Sequence, residues 1–366
     1  MYVETLTVRN FRNYDSYTLN LNRGLTVLVG ANAVGKTNLI EALQLLTTGE
    51  SFRRPIWKEV IREGAESCKL ELTASGENRE LKVALAISGA SGRTYIVNGS
   101  RKRSVSAATG SVPCVLFTPA DLSLVQGPSA QRRISLDVLG SQLSASYAVL
   151  TKEYSKILRQ RNALLKDAVP EEQLEPWTNV LAETGSRLMF HRQRLLERVA
   201  GHAIEAYAQR TEGEAISLRY VPSWERAAHQ VMRPAIQGGS ENGLKDMLAL
   251  TDHSEQARGT TLIGPHRDDV EILLSGRSAR SLASQGQQRT IALSWKMAEA
   301  AVMKEVLGEE PLLLLDDVMS ELDEDRRAAL ARWVRGSLQT VMTTTTLQYF
   351  DPSLLEEGAV VTLRVG

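Results

Sequence analysis

Gly30-Ala-Asn-Ala-Val-Gly35-Lys36-Thr37 lies between the apolar run Leu25-Thr-Val-Leu-Val29 and the segment Asn38-Leu-Ile-Glu-Ala-Leu-Gln-Leu-Leu46. The first run holds Val, Leu and Thr with no breaker and reads as a short buried strand. In the second, Leu39, Ile40, Leu43 and Leu46 recur at helical spacing until Gly49 offers a stop. The octapeptide therefore sits where a strand turns into a helix, the context of a phosphate-binding loop.

The residue types suit a nucleoside triphosphate. Glycines let backbone N–H groups turn inward without a Cβ clash, and the following helix presents its positive end to an anion. This reading sets Gly30, Ala31, Asn32, Ala33, Val34, Gly35, Lys36, Thr37 and Asn38 around the phosphates. Lys36 reaches the β- and γ-phosphates, and the Thr37 hydroxyl is placed to ligand Mg²⁺. A simple Gly-containing turn is the bland alternative. The strand before it and the helix after it argue against that.

At 366 residues the chain can bury a large core in one elaborate domain or two to three simpler ones. The 43 Lys and Arg balance 43 Asp and Glu. A protein that coats nucleic acid by overall charge would be basic, so a nucleic-acid site here must be a local patch. Cys68 and Cys114 form no CxxC pair and read as small buried hydrophobes in a reducing compartment. The first residues lack a basic region followed by an apolar core, and no apolar run approaches bilayer length. A soluble, cytoplasmic protein is expected.

Strand patterns open the chain, at Val3, Leu6 and Val8 and at Tyr17-Thr-Leu-Asn-Leu21. Arg12 lies close in sequence to the loop's strand; spacing alone favours a solvated turn arginine. Further strand-like runs are Lys69–Thr73, Leu81–Ile87, Arg93–Val97 and Val112–Phe117, with Asn98-Gly99 as a hairpin turn signal. The basic run Arg101-Lys102-Arg103 is either a solvated face or a DNA contact. From about residue 130, Tyr147, Leu150, Tyr154, Ile157, Arg161 and Leu164 recur at helical steps. After Pro170 and Glu171-Glu172 the pattern resumes through Trp177, Thr184, Leu188, Leu195 and Val199. Two amphipathic helices with a short break predict an antiparallel helical hairpin. Its arginines (Arg159, Arg161, Arg187, Arg192, Arg194, Arg198) give a basic arm or a solvated face. Strand character returns at Ala215–Val221 and Asp269–Leu274, with a polar, helical or looped stretch from 222 to 258 between them.

Pro311-Leu-Leu-Leu-Leu-Asp316-Asp317 ends a core strand with two carboxylates, where an α/β sheet places its ligand crevice. Asp316 can hold Mg²⁺ through water, and Asp317 can polarise the water that attacks the γ-phosphate. Upstream, Ala283-Ser284-Gln285-Gly286-Gln287-Gln288-Arg289-Thr290 opens an apolar helix. Ser284 reads as a helix N-cap and Gly286 as a turn residue, and a helix N-terminus is also an anion site. It is separate from the phosphate loop. Both serve one nucleotide only when they come from different molecules.

The GxxxxGKT loop, the Ser-Gln-Gly-Gln signature and Leu-Leu-Asp-Asp followed by Ser320-Glu321-Leu322-Asp323 resemble the ABC-type ATPase heads of the SMC class. Finer features resemble the RecF family of bacterial recombination-repair proteins. They are Asn10–Tyr14, Phe117–Leu122, Gly264-Pro-His-Arg-Asp-Asp269, Ala283–Thr290 and Leu314–Asp323, in one order over residues 1 to about 350. The resemblance implies an α/β, two-lobed P-loop ATPase head of the ABC/SMC type with an inserted helical-hairpin arm. Residues 1–120 with 276–366 would form the ATP-binding lobe, and 121–275 the second lobe, its arm spanning about 130–210.

The resemblance further implies a dimer around two ATP molecules, each between Lys36 of one subunit and Ser284, Gly286 and Gln287 of the other. Arg12 matches the family's N-terminal arginine that approaches the phosphates. The implied function is ATP-dependent DNA binding in recombinational repair and replication restart, acting with RecR and RecO and helping to load RecA. A transporter ATPase subunit, a P-loop small-molecule kinase and a structural SMC-like partner that binds ATP without turnover, opposed by Asp316 and Asp317, are the rival readings. The helical insertion and the Ser-Glu-Leu-Asp segment oppose the first, and the Ser284 signature is left unexplained by the second.

Two departures stand out. No counterpart of the glutamine loop or switch histidine is certain; the first is sought near Phe117–Asp121, and Thr343-Thr-Thr-Thr346 follows the late strand. ABC ATPases place Glu after the Mg²⁺ aspartate, whereas Asp317 is one methylene shorter. That shortening is expected to set the attacking water less favourably and to slow hydrolysis. Turnover by an Asp317→Glu variant should therefore rise; unchanged or lower turnover would refute the explanation.

Overall fold

The structure is a computed structural model that describes residues 1–53, 55–76, 80–89, 92–102, 110–211, 213–228, 241–336 and 338–364. Strand β1 (Tyr2–Phe11) buries Val3, Leu6, Val8 and Phe11. Val3 and Leu6 are three apart and would face opposite ways in a regular strand. A register shift between Val3 and Thr5 turns both to the core. After β2 (Tyr14–Asn20) and β3 (Leu25–Val29), helix α1 (Lys36–Thr48) ends at Gly49 in the left-handed conformation. Strands β4 (Ser67–Ser75), β5 (Glu80–Ser88), β6 (Gly92–Val97) and β7 (Ser100–Lys102) follow, and Asn98-Gly99 makes the β6–β7 turn with positive φ at both residues. Strand β8 (Cys114–Phe117) closes this first stretch, and both cysteines are buried and in no disulfide.

Helices α2 (Ser129–Leu143), α3 (Ala145–Lys166) and α4 (Glu171–Ala208) come next. Then come β9 (Ile216–Val221), α5 (Ser223–Ala228), α6 (Glu241–Arg258), β10 (Asp269–Leu274), β11 (Arg277–Ser278) and α7 (Ala279–Leu282). Helix α8 (Gln285–Leu307) leads to β12 (Leu312–Asp316), α9 (Glu324–Val334), β13 (Thr340–Thr344), α10 (Pro352–Glu356) and β14 (Ala359–Thr362). Among the described residues no helix is long and apolar enough to cross a membrane.

The chain divides into two compact units, Met1–Ser123 with Ala292–Gly366, and Leu124–Ile291. In the first, an antiparallel sheet runs β2-β1-β4-β5-β6-β7, and a parallel sheet runs β14-β3-β13-β12-β8. Leu312, Leu313, Leu314 and Leu315 are all buried, as a parallel strand covered on both faces requires. Helix α1 touches strands of both sheets, so Leu39, Ile40, Ala42, Leu43, Leu45 and Leu46 are all buried rather than one stripe of them. This exceeds the amphipathic pattern read from the sequence. The core gathers β1, β4, β5, α1 and the middle of the parallel sheet into one apolar cluster.

In the second unit α3 and α4 pack together as the expected hairpin, with α2 against both. Strands β11, β10 and β9 form an antiparallel sheet. The hairpin β10–β11 and the contact of α7 with β10 hold residues 276–291 in this unit, a stretch the sequence reading grouped with the ATP-binding lobe. Residues 229–240, within the stretch read as helix or loop, lie outside the described residues, as does Arg103 of the basic run.

Two arginines read as a solvated or basic arm are core residues instead. Arg161 is 1% exposed and pairs with Glu255 at 2.7 Å, with Thr261 and Thr178 as further acceptors. Arg192 makes a bidentate pair with Asp137 and donates to the Pro265 carbonyl. Each carboxylate partner stands far away in sequence, so helical periodicity could not reveal the pairs. Removing Glu255 alone would strand a buried guanidinium, at about 3–5 kcal/mol.

The motif Gly264–Asp269 is the centre of this network. Arg132 grips Asp269 at 2.9 and 3.1 Å, Tyr220 and the Ser223 N–H donate to Asp268, and Arg267 N–H closes a turn onto the Gly264 carbonyl. Gly264 has φ 124°, and a Cβ there would lie 2.8 Å from the Tyr154 hydroxyl. That hydroxyl lies 2.8 Å from His266 Nδ1, and His266 Nε2 lies 3.2 Å from the Thr261 carbonyl. One neutral tautomer fits: Nε2–H donates to Thr261 while Nδ1 accepts from Tyr154. Burial is the main cause that lowers the His266 pKa to about 4. Between pH 6.5 and 4 the unfolded chain then binds a proton that the folded chain refuses, so this residue's contribution to stability falls as pH falls. The slope is at most about 1.4 kcal/mol per pH unit. Chemical denaturation across that window should show a smaller acid loss in His266→Gln than in the parent chain.

Candidate nucleotide site

The parallel sheet brings the carboxyl ends of β3, β12 and β13 to one edge, where the loop Gly30–Gly35 and the pair Asp316-Asp317 meet. Ala31, Asn32 and Ala33 are exposed, while Val34, Gly35 and Lys36 are buried. The loop turns through positive φ at Ala33 and Gly35. A Cβ at Gly35 would come within 2.6 Å of the Tyr14 hydroxyl and 2.8 Å of Asn13 Nδ2, so only glycine fits.

Lys36 Nζ donates to the Gly30 and Ala31 carbonyls at 2.7 and 2.8 Å. Burial lowers its pKa, with Asp317 and Asp316 opposing the shift. Thr37 Oγ1 donates to Asp316 Oδ1 at 2.9 Å, and Thr343 Oγ1 donates to the same oxygen at 2.8 Å. A hydroxyl that gives its proton to a carboxylate keeps lone pairs for a cation. The Asp317 N–H donates to Thr343 Oγ1 at 2.9 Å, so one threonine ties both aspartates. Thr343 stands in the segment searched for a switch histidine, and its role could not be read from that sequence.

Asp317 takes the left-handed conformation, φ 51°, tolerated by aspartate and poor for most residues. Burial pushes its carboxyl pKa up; Lys36 opposes, and Asp316 and Glu321 add to the rise. Its Oδ1 is buried with no hydrogen-bond partner among the described residues. Such an orphan acceptor is what an ordered water beside the γ-phosphate would satisfy. The donor set thus fits Mg²⁺ and a triphosphate, which supplies oxygens of its own to an ion the protein holds by few side chains. No group of three or more His, Cys, Asp and Glu gathers to cage a metal among the described residues.

The N-terminal strands reach this loop through their turn. Asn13 Nδ2 donates to the Val34 carbonyl, and Asn38 Nδ2 donates to Asn13 Oδ1 at 2.7 Å. Arg12, expected at the phosphates, gives its guanidinium to the fully buried Glu41 at 2.8 and 3.0 Å and to the Glu59 carbonyl. Arg53 also pairs with Glu41 and donates to Asn38. Asn13, Glu41 and Arg53 were missed in the sequence. A glutamate inside the apolar run of α1 was the signal for the buried carboxylate, because such a charge needs partners.

The signature lies in the second unit. Ser284 is exposed, and its Oγ accepts from the Gln287 N–H at 3.2 Å, capping α8; Gln287 Oε1 accepts from the Ser284 N–H at 2.7 Å. Gly286 lies in the first turn, its carbonyl accepting from Thr290. In the first unit, the segment searched for a glutamine loop folds onto Asp121, which accepts from Thr118 and pairs with the buried Lys296 at 3.1 Å.

A phosphate loop, a carboxylate pair at the ends of a parallel sheet and a Ser-capped signature helix define a P-loop ATPase head of the ABC/SMC type. The family described as RecF/RecN/SMC N terminal domain matches residues 2–354. The DNA replication and repair protein RecF of Synechococcus sp. (strain JA-3-3Ab) is 38% identical over 374 residues, covering 100% of this chain and 97% of that protein. A solved structure of the recombination mediator protein RecF-ATPrS in the RecFOR pathway has a TM-score of 0.88 at 30% identity, covering 100% of this chain and 96% of that one. The Smc head domain of Pyrococcus furiosus, at 15% identity with TM-score 0.56, covering 100% of this chain and 94% of that one, shares the fold. The chain belongs to the RecF family of DNA replication and repair proteins.

Thr343 generates a direct test of this geometry. Thr343→Val keeps the shape, removes the hydroxyl between the two aspartates and should cut ATP turnover about tenfold, equivalent to ~1.4 kcal/mol. Thr343→Ser should restore most of it. Equal turnover in all three chains would show that the hydroxyl does not order the carboxylates.

Proposed function

We propose that this chain is an ATP-gated DNA-binding protein of recombinational repair and replication restart, in which ATP joins two copies head to head. The observation that supports it most is the division of the chemistry. The phosphate loop and carboxylate pair belong to the first unit, and the exposed Ser284 cap belongs to the second. In this reading the ATP-binding lobe comprises Met1–Ser123 with Ala292–Gly366, and the second lobe, Leu124–Ile291, carries both the arm and the signature.

Each residue then has a task. The backbone of Gly30 to Gly35 and the N-terminus of α1 receive the phosphates, and Lys36 leaves the loop carbonyls for the β- and γ-phosphates. Mg²⁺ would be held by Thr37 and Asp316 and would neutralise charge on the phosphates. Asp317 orients the attacking water and takes its proton. Ser284, Gly286 and Gln287 of a second copy receive the γ-phosphate from the other side. Arg12 reaches the phosphates by exchanging part of its bond with Glu41. The shared γ-phosphate closes the dimer on DNA, and slow hydrolysis opens it. RecO and RecR are the partners in this reading, with RecA loading downstream, and the site of action is the cytoplasm.

Sedimentation with Mg²⁺-ATP, with ADP and without nucleotide should show a dimer with ATP alone, and none with ATP in Ser284→Arg. A monomer in all three conditions would defeat the shared-nucleotide mechanism and leave the kinase reading ahead.

A further inference from the structure

Gln287 is more than half of a helix cap. Its Oε1 accepts from the Ser284 N–H, and its Nε2 donates to Glu214 Oε1 at 2.7 Å. Glu214 is held in turn by the Tyr207 hydroxyl, which donates to Oε2 at 2.9 Å. Tyr207 is fully buried near the end of α4, and Glu214 precedes β9. A chain of hydrogen bonds therefore runs from the core of the second unit to the exposed signature serine.

An ionised carboxylate only accepts, so Glu214 fixes which end of the Gln287 amide faces it. The amide oxygen is left for the Ser284 N–H. With Ser284 Oγ accepting from the Gln287 N–H, its own hydroxyl proton remains to be donated. A serine in that state is a donor, as an oxyanion requires. The reciprocal Ser284–Gln287 cap satisfies the helix end without help. Glu214 adds orientation to it from outside the helix.

We infer that Glu214 is a positioning residue for the signature turn: it locks the Gln287 amide and thereby keeps Ser284 set to donate to the γ-phosphate of a nucleotide bound by a second copy. This rests on the shared-nucleotide reading above. The group recognised is a terminal phosphate, and the residue acts through Gln287 without touching it.

The test compares the full-length parent chain, Glu214→Ala, Glu214→Gln and Ser284→Arg. Three quantities are read: the thermal midpoint, affinity of the monomer for a fluorescent ATP analogue, and the ATP-dependent dimer dissociation constant. Glu214→Ala should keep the first two and raise the dimer constant about tenfold, ~1.4 kcal/mol. Glu214→Gln, whose amide can turn either its oxygen or its NH2 to Gln287, loses the acceptor-only character and should recover the loss only in part. Glu214→Ala dimerising like the parent would overturn the inference while Ser284→Arg still upheld the shared nucleotide. A fall in thermal midpoint with a matching loss of monomer affinity would overturn it too, by assigning Glu214 to folding alone. A parent chain that never dimerises with ATP would remove the reading beneath it, and the inference with it.

Discussion

A single carboxylate oxygen, Asp316 Oδ1, accepts from two hydroxyls on two different elements: Thr37 at the start of α1 and Thr343 at the end of β13. That convergence exists because β3, β13 and β12 run parallel and side by side. Parallel order puts every strand's carboxyl end at one edge, so a loop after residue 29, a carboxylate pair at 316–317 and a threonine at 343 become neighbours. An antiparallel arrangement would send alternate ends away. The rest of the first unit serves that edge. The antiparallel sheet covers the far side of α1, and its β1–β2 turn steadies the phosphate loop through Asn13.

Charge placement follows the same logic. Burial alone would disfavour Lys36 as a cation and Asp317 as an anion, and each partly offsets the other's loss. Glu41 shows the opposite solution. A fully buried carboxylate inside α1 is held by Arg12, Arg53 and the Ser51 hydroxyl, a closed cluster beside the loop. Arg12 thereby stands beside the phosphate loop already engaged.

Local chemistry was the part legible in the sequence. The strand–loop–helix of residues 25–46, the Asn98-Gly99 hairpin, the α3–α4 pair and the strand ending at Asp316 all announce themselves by period, turn residue or breaker. Long-range pairing was not. Arg161 and Arg192 looked like surface charge because their carboxylates are Glu255 and Asp137, which no helical spacing connects to them. Thr343 looked like one of four ordinary threonines; only the neighbouring strand shows it to be the link between two aspartates. The full burial of α1 was hidden for the same reason, since a sheet on each side requires knowing where both sheets lie.

The signature helix carries the same lesson into function. Ser284 is recognisable in the sequence as a cap, yet the sequence does not say which way the Gln287 amide points. That orientation is decided by Glu214, seventy-odd residues upstream, and Glu214 is itself decided by the buried Tyr207. A serine hydroxyl is ambivalent, able to give or take a proton, and an oxyanion requires it to give. In the proposed dimer the nearby carboxylate has two opposing effects on an incoming phosphate. Its charge repels the anion, while its acceptor-only chemistry aligns the donor that the anion needs. On the shared-nucleotide reading proposed above, the alignment outweighs the repulsion, and a negative residue serves a site for negative ligands.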